Sequence, residues 1–170
     1  MAESRTLTLA DPAATARLGQ AVARALASLK PLQFCIYLEG ELGAGKTALA
    51  RAVLAGLGYP GRVPSPTYTL VEPYAAGGFQ LLHADLYRLR DPAELDALGI
   101  ADQFGAGCLL LVEWPARGQG RLPPADLEIN LSIVDGGRQV SIGARSMAGA
   151  RLLDLMVPDP PGPDLCTQQA

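Results

Sequence analysis

The stretch G-E-L-G-A-G-K-T at residues 40–47 constrains this chain more than any other, because it matches the phosphate-binding pattern G-x-x-x-x-G-K-[S/T]. An apolar run enters it at residues 34–38, and a helix-forming run leaves it at residues 48–54. Roughly 0.002 matches to the pattern are expected by chance from a composition like this one. Of the fourteen basic residues only Lys30 and Lys46 are lysine, and an arginine would not replace a compact ammonium in a phosphate cradle. The sequence therefore predicts a nucleotide-binding protein.

The residue types in this loop suit a nucleotide triphosphate. Glycine lets the backbone curl tightly and bring its N–H groups up to phosphate oxygens. The helix that begins near Lys46 directs the positive end of its dipole at the same anion. Lys46 is expected to reach the β- and γ-phosphates, and the Thr47 hydroxyl to ligate Mg²⁺. The nucleotide-binding residues expected from the pattern are Leu42, Gly43, Ala44, Gly45, Lys46 and Thr47.

Composition places the chain among globular proteins. At 170 residues, with 49% hydrophobic and 18% charged residues, it is long enough for one domain with a sizeable core, expected over residues 1–157. Residues 158–170 are proline-rich and are predicted to form a disordered tail. The chain has no apolar run near 18 residues and no signal-peptide pattern, so we expect a cytoplasmic protein without membrane contact. The net charge of −3 gives no overall footprint for nucleic acid.

Periodicity and turn residues predict an α/β fold. Residues 5–9 alternate as an edge strand does, Asp11 and Pro12 suit the N-cap and first position of a helix, and Gly58 suits the end of another. Further strands are predicted at residues 33–39, 69–74, 79–84, 108–112, 126–134 and 138–144. Helices are predicted at residues 12–29, after the phosphate loop to 57, at 92–98, 102–104 and 146–156. This order predicts a P-loop NTPase-like three-layer sandwich, with a mainly parallel sheet flanked by helices and a C-terminal β-hairpin and helix.

Two acidic residues end apolar strands, where ligands bind in sheets of this kind. Asp85 closes L-L-H-A-D, and Glu113 closes L-L-L-V-E. A magnesium–nucleotide site needs a carboxylate at the end of a strand that faces the P-loop threonine. Spacing alone does not rank the two as magnesium ligand and water-orienting group, so both assignments stay open from the residues themselves.

Several side chains near these acids have two interpretations each. His83 lies on the same face of its strand as the acid two residues later, and either tunes that acid or makes a structural hydrogen bond. Trp114 is either a core anchor or part of the site wall. Arg138, beside a glycine turn, either reaches the nucleotide or is an ordinary surface arginine. Tyr87 and Arg88 either serve a partner surface or pack on the following helix.

Four blocks of sequence, in their order, resemble the bacterial TsaE (YjeE) family. They are G-E-L-G-A-G-K-T at 40–47, S-P-T-Y-T-L-V at 65–71, H-A-D-L-Y-R-L at 83–89 and V-E-W-P at 112–115. A P-loop alone is shared by a very large superfamily, but the four blocks together are specific. The resemblance extends over about residues 5–150, and only the tail departs from the family pattern.

The resemblance implies a small Mg²⁺-dependent P-loop ATPase that is weak alone. It also implies work with the TsaD and TsaB proteins, which install threonylcarbamoyl on the adenosine beside the anticodon of tRNA. Because the chain is acidic overall, we expect tRNA to be held mainly by those partners.

The resemblance also assigns roles residue by residue. Thr47 and Glu113 would ligate magnesium, while Lys46 and the loop amides would hold phosphates. Residues 65–69 would form a first switch loop, and Asp85, in a second, would act near the γ-phosphate and the attacking water. Arg138 would contact the nucleotide, and the backbone near Pro12 would lie beside the adenine.

Other functions fit the phosphate loop less well. A small-molecule or nucleotide kinase would use the same loop, but no acceptor-binding or arginine-rich lid segment is evident. A GTPase is disfavoured because the base-reading motif N-K-x-D is absent from the sequence. A nucleotide-gated scaffold that needs binding without hydrolysis is the non-enzymatic alternative.

Overall fold

A seven-stranded sheet organises the chain, and the computed structural model describes residues 4–156. The strands are β1 (Ser4–Leu9), β2 (Gln33–Gly40), β3 (Val71–Ala76), β4 (Phe79–Asp85), β5 (Cys108–Glu113), β6 (Leu127–Val134) and β7 (Gly137–Ala144). The helices are α1 (Pro12–Leu29), α2 (Lys46–Gly56), α3 (Glu94–Leu98), α4 (Ile100–Gln103) and α5 (Met147–Leu155), with one 3-10 turn at Pro115–Gly118. The predicted tail, residues 158–170, lies outside this range, as do residues 1–3 and 157 of the predicted domain.

The strand order is β1-β7-β6-β2-β5-β4-β3. The four central strands, β6, β2, β5 and β4, run parallel to one another, whereas β1, β7 and β3 pair antiparallel to their neighbours. A parallel core arises because helices connect its strands across the faces of the sheet. This architecture confirms the predicted helix-covered, mainly parallel sheet with a C-terminal hairpin and helix.

Alternation along β2 divides the interior into two cores. Phe34, Ile36 and Leu38 belong to the larger core, which also contains buried residues of α1, α2 and α5. Cys35 belongs to a smaller core, which contains buried residues of α3 and α4. Successive strand residues point to opposite faces, so the sheet is covered on both sides at its centre. Strand β5 is buried along its whole length, as its uniformly apolar sequence predicted.

The start of α1 forms as the sequence predicts, and α5 begins one residue later than predicted, after a similar cap. The Asp11 side chain accepts a hydrogen bond from the backbone N–H of Ala14 at 2.7 Å, and Pro12 occupies the first turn of α1. Ser146 caps α5 in the same way, accepting from the N–H of Gly149 at 3.0 Å. The first of these caps fixes the loop between β1 and α1, which lies beside the P-loop.

Several element boundaries differ from the prediction by one or two residues, and three of the starts differ by two. Strand β3 begins at Val71 instead of residue 69, because Leu70 has a left-handed φ of 64° and its N–H donates to the Pro66 carbonyl at 2.7 Å. Helix α3 begins at Glu94, two residues later than expected, and the Glu94 side chain accepts from the N–H of Asp91 at 2.8 Å. Helix α4 begins at Ile100 instead of residue 102. Over residues 4–156, no helix has both the length and the apolar character needed to cross a membrane.

Candidate functional site

The P-loop connects β2 to α2 at the carboxyl end of the central parallel strands. Gly40 and Gly43 have φ angles of 138° and 79°, a region that side-chain-bearing residues rarely adopt. A Cβ on Gly40 would lie 2.3 Å from the carbonyl oxygen of Leu131 on β6, whereas a Cβ on Gly43 would meet nothing within 4 Å. The loop therefore packs against the sheet at its first glycine and faces open space at its second.

Lys46 is the cation of this loop and is only 4% exposed. Its Nζ donates to the carbonyl oxygens of Gly40 at 2.7 Å and Glu41 at 2.8 Å. The Trp114 ring covers it, with Nζ 4.1 Å from the ring centroid. Burial lowers the pKa of Lys46, and the nearby carboxylates, led by Glu113, act in the opposite direction. A positive charge is thus held inside the curve of the loop.

The two acids lie side by side and have different partners. Asp85 and Glu113 are paired residues at the ends of β4 and β5. The Thr47 hydroxyl lies 2.8 and 2.9 Å from the two carboxylate oxygens of Glu113. Asp85 Oδ2 instead accepts from the hydroxyls of Ser65 at 3.2 Å and Thr67 at 3.4 Å. The geometry therefore separates two carboxylates that spacing could not rank.

His83 contacts Glu113, which neither sequence interpretation named. Its Nε2 lies 2.8 Å from Glu113 Oε1, and both side chains are buried. The sequence drew attention to Asp85 because the two residues share a strand face. The partner lies on the adjacent strand, and strand pairing is a tertiary feature that spacing along one strand does not contain.

The aromatic residues beside the acids line the site. Trp114 has a left-handed φ of 58° and packs against Tyr87, with ring centroids 5.1 Å apart. The Arg88 guanidinium lies over the exposed ring of Tyr68, 4.5 Å from its centroid. Trp114, Tyr87 and Arg88 all line the same cavity as Lys46, so these residues belong to the wall and rim of the site.

Two cavities meet at the P-loop. The larger, about 460 Å³, is lined by polar and charged side chains that include Lys46, Thr47, Asp85 and Glu113. The smaller, about 270 Å³, lies between the start of α1 and the β6–β7 hairpin, and its lining residues include Pro12 and Arg138. Gly45 and Ala48 line both cavities. The arrangement offers one compartment beside the charged side chains at the strand ends and another beside the start of α1, on either side of the same loop.

Arg138 braces the loop from the hairpin. Its Nε donates to the carbonyl oxygen of Ala44 at 3.1 Å, and its Nη2 to that of Gly43 at 3.2 Å. The residues expected from the P-loop pattern, Leu42, Gly43, Gly45, Lys46 and Thr47, line the larger cavity, while Ala44 lines the smaller. Sequence reasoning missed Thr15 and Ala16, which line the smaller cavity; the predicted helix start at Pro12 was the available signal.

Comparison with known proteins gives the family. The family described as "Threonylcarbamoyl adenosine biosynthesis protein TsaE" matches residues 9–140. The tRNA threonylcarbamoyladenosine biosynthesis protein TsaE of Haemophilus influenzae is 42% identical over 152 residues, covering 89% of this chain and 96% of the relative. The protein of the same description from Bacillus subtilis is 36% identical over 110 residues, covering 65% of this chain and 68% of the relative.

The fold of this chain is also similar to that of a solved structure. The crystal structure of Bacillus subtilis YdiB is similar with a TM-score of 0.74 and 26% sequence identity, covering 92% of this chain and 95% of that one. The family match spans both cavities, from the start of α1 to the hairpin arginine, and therefore includes the whole P-loop site. The chain is therefore a member of the TsaE family.

Proposed function

We propose that this protein is a Mg²⁺-dependent ATPase of tRNA threonylcarbamoyladenosine formation, working with the TsaD and TsaB proteins. The observation that carries the proposal is the pairing of the P-loop threonine, Thr47, with a buried strand-end carboxylate, Glu113, in a chain of the TsaE family. The proposal includes the single ATPase domain over residues 1–157 and the cytoplasmic location expected from the sequence.

The residues at Thr47 fit a magnesium ion. Mg²⁺ prefers oxygen ligands and is bound in nucleotide sites through one or two carboxylates together with substrate phosphates, not by a full protein cage. Thr47 and Glu113 supply one hydroxyl and one carboxylate, and residues 4–156 contain no cluster of three or more His, Cys, Asp or Glu residues that would form such a cage. When bound here, Mg²⁺ supplies charge neutralisation for the phosphates.

The cavities fit the two ends of a nucleotide. The polar cavity around Lys46 would take the phosphates, since it has a buried cation and the start of α2. The smaller cavity would take the adenine, beside the backbone of Pro12. Arg138 would contact the nucleotide from the hairpin, because its guanidinium lies on the loop between the two compartments.

Asp85 would position the attacking water near the γ-phosphate. Its carboxylate lines the same cavity as Lys46 and is held by two hydroxyls of the loop that precedes β3. Phosphoryl transfer depends on positioning and charge neutralisation, so a loop that releases or redirects this carboxylate would control turnover. We expect that control to come from the partner proteins, which makes the ATPase weak alone.

The test is phosphate release from ATP at constant Mg²⁺, with the protein alone and with a TsaD–TsaB pair. We expect slow release alone and strong stimulation by the pair. Fast turnover that ignores the pair would contradict the proposal and favour an independent ATPase or a kinase. Full tRNA modification with a nonhydrolysable ATP analogue would favour the scaffold alternative.

Two variants separate binding from turnover. Lys46→Ala removes the cation of the loop, so it should abolish ATP binding in a calorimetric titration. Asp85→Ala leaves the cradle intact, so it should bind ATP with affinity near that of the wild type and lose partner-stimulated phosphate release. Equal loss of binding in both variants would contradict this division of roles.

A further inference from the structure

The chain has one histidine, His83, and its side chain is fully buried beside the proposed magnesium ligands. Nε2 lies 2.8 Å from Glu113 Oε1, and the same oxygen lies 2.8 Å from the hydroxyl of Thr47. One carboxylate oxygen of Glu113 therefore has a neighbour on each of two elements, β4 and α2. The other oxygen, Oε2, lies 2.9 Å from the Thr47 hydroxyl and is not hydrogen-bonded to His83.

The contact determines the role of one ring nitrogen of His83. A carboxylate oxygen only accepts hydrogen bonds, so Nε2 must be the donor. Nδ1 has no hydrogen-bond partner within residues 4–156, although it is buried. A buried polar atom without a partner costs free energy. Within the described residues, the hydrogen bond to Glu113 is therefore the one that the His83 imidazole makes.

Strand pairing explains why the histidine reaches this acid. His83 is the register partner of Leu111 on β5, two residues before Glu113. Leu81 and Leu111 belong to the core that contains α2, and alternation places His83 on the same face of the sheet. That face carries the helix whose first turn includes Thr47. The donor and the hydroxyl thus approach one carboxylate from the same side of the sheet.

We propose that His83 is a positioning residue of the magnesium site, which fixes the Glu113 carboxylate for Mg²⁺ through its Nε2–H bond. The inference rests on the proposed function, because it concerns the metal of that same site. Groups that hydrogen-bond to metal ligands orient them, and their loss typically lowers metal affinity by about 10–100-fold. His83 touches neither ATP nor water in this role, and it acts only through Glu113.

Two amide variants test the position of the donor. In His83→Gln the side-chain amide nitrogen replaces Nε2, the atom that contacts Glu113. In His83→Asn it replaces Nδ1, the atom without a partner. The readout is the affinity for a nonhydrolysable ATP analogue, measured by calorimetry with Mg²⁺ and with EDTA. The ratio of the two affinities reports the metal site, and the EDTA value reports the folded P-loop.

We expect His83→Gln to keep a ratio close to that of the wild type. His83→Asn should lower the ratio about 10-fold or more while leaving the EDTA affinity unchanged. His83→Leu, which has no hydrogen-bond donor, should do the same. A ratio in His83→Asn equal to that of the wild type would overturn the proposal, as would failure of His83→Gln to restore it. Parallel loss of both affinities in all variants would assign His83 a structural role and would also overturn it.

The same titration separates this inference from the proposed function. Wild-type protein that binds the analogue equally with Mg²⁺ and EDTA would contradict the magnesium site itself, and with it the role of His83. Wild-type protein with a clear Mg²⁺ effect supports the site, and the variants then decide the role of His83 alone.

Discussion

At the scale of single residues, the P-loop depends on backbone conformations that side chains resist. Gly40 and Gly43 both have positive φ angles, but their surroundings differ. A Cβ at Gly40 would lie 2.3 Å from the backbone oxygen of Leu131, which belongs to the paired strand β6. A Cβ at Gly43 would project into open space. Gly40 is therefore required both for its positive φ angle and for close packing against β6, whereas Gly43 is required for its positive φ angle alone.

Alanine at these two positions should separate the two effects. Gly43→Ala should cost about 1–2 kcal/mol of unfolding free energy, from the left-handed backbone alone. Gly40→Ala should cost clearly more, because the clash with β6 adds to the same backbone strain. Urea unfolding measures both values. Equal destabilisation would show that the close approach of β2 and β6 does not constrain residue 40.

At the scale of elements, the site depends on how closely α1 and α2 pack. The start of α1 lines the smaller cavity, and the start of α2 carries Lys46 and Thr47. The helices meet at glycine: a Cβ on Gly19 of α1 would lie 2.3 Å from the Cβ of Ala52 and 2.8 Å from its backbone carbon. The smaller cavity is lined by residues of both helices, so their separation sets the width of that cavity.

Gly19→Ala should push the helices apart. Alanine favours a helix over glycine by about 1 kcal/mol, but overpacking against backbone atoms typically costs about 1–3 kcal/mol, so we expect net destabilisation. ATP affinity should fall as well, because the smaller cavity, proposed to take the adenine, is lined by both helices and would change its width. Gly143→Ala on β7 is the matched control, since a Cβ there meets nothing within 4 Å. Unchanged stability and affinity in Gly19→Ala would contradict the close packing.

At the scale of the whole molecule, helices on both faces bury the central strands and the thiols they carry. Cys35 on β2 and Cys108 on β5 are buried in the smaller core. Burial is the main reason that the pKa of each thiol is raised above its ordinary value of 9.0. Both thiols stay protonated in either state below pH 9.0, so they leave the free energy of unfolding unchanged there. Above pH 9.0 that free energy should fall, because the thiols of the unfolded chain ionise while the buried ones do not.

Both thiols should resist alkylation in the native protein. Thiolate is the reactive form, and burial both disfavours it and blocks access. Iodoacetamide at pH 8, followed by peptide mass spectrometry, should leave Cys35 and Cys108 unmodified until urea is added. The site-resolved readout keeps Cys166, outside the described residues, from obscuring the result. Rapid native labelling of Cys35 would show that the cover on this face of the sheet opens readily.

Much of this protein is determined by local sequence. The P-loop, the cap at Asp11 and the alternation along β2 depend on residues within a few positions of one another, so pattern and residue type suffice to predict them. The buried strand β5 and the C-terminal hairpin were predictable for the same reason. The backbone just before β3 was not predictable, because Leu70 takes a left-handed conformation that its residue type does not favour.

Tertiary structure alone decided which side chains meet. Thr47 and Glu113 are 66 residues apart in the chain, and His83 and Glu113 are 30 apart. Such contacts depend on the strand order, and hydrophobic alternation shows only which face a residue takes, not which strand lies beside it. The sequence by itself determined that a phosphate loop and two strand-end acids exist. The pairing of β4 with β5 and the packing of α2 place Glu113 in contact with Thr47 and His83. The same arrangement places Asp85 in contact with the loop before β3 instead.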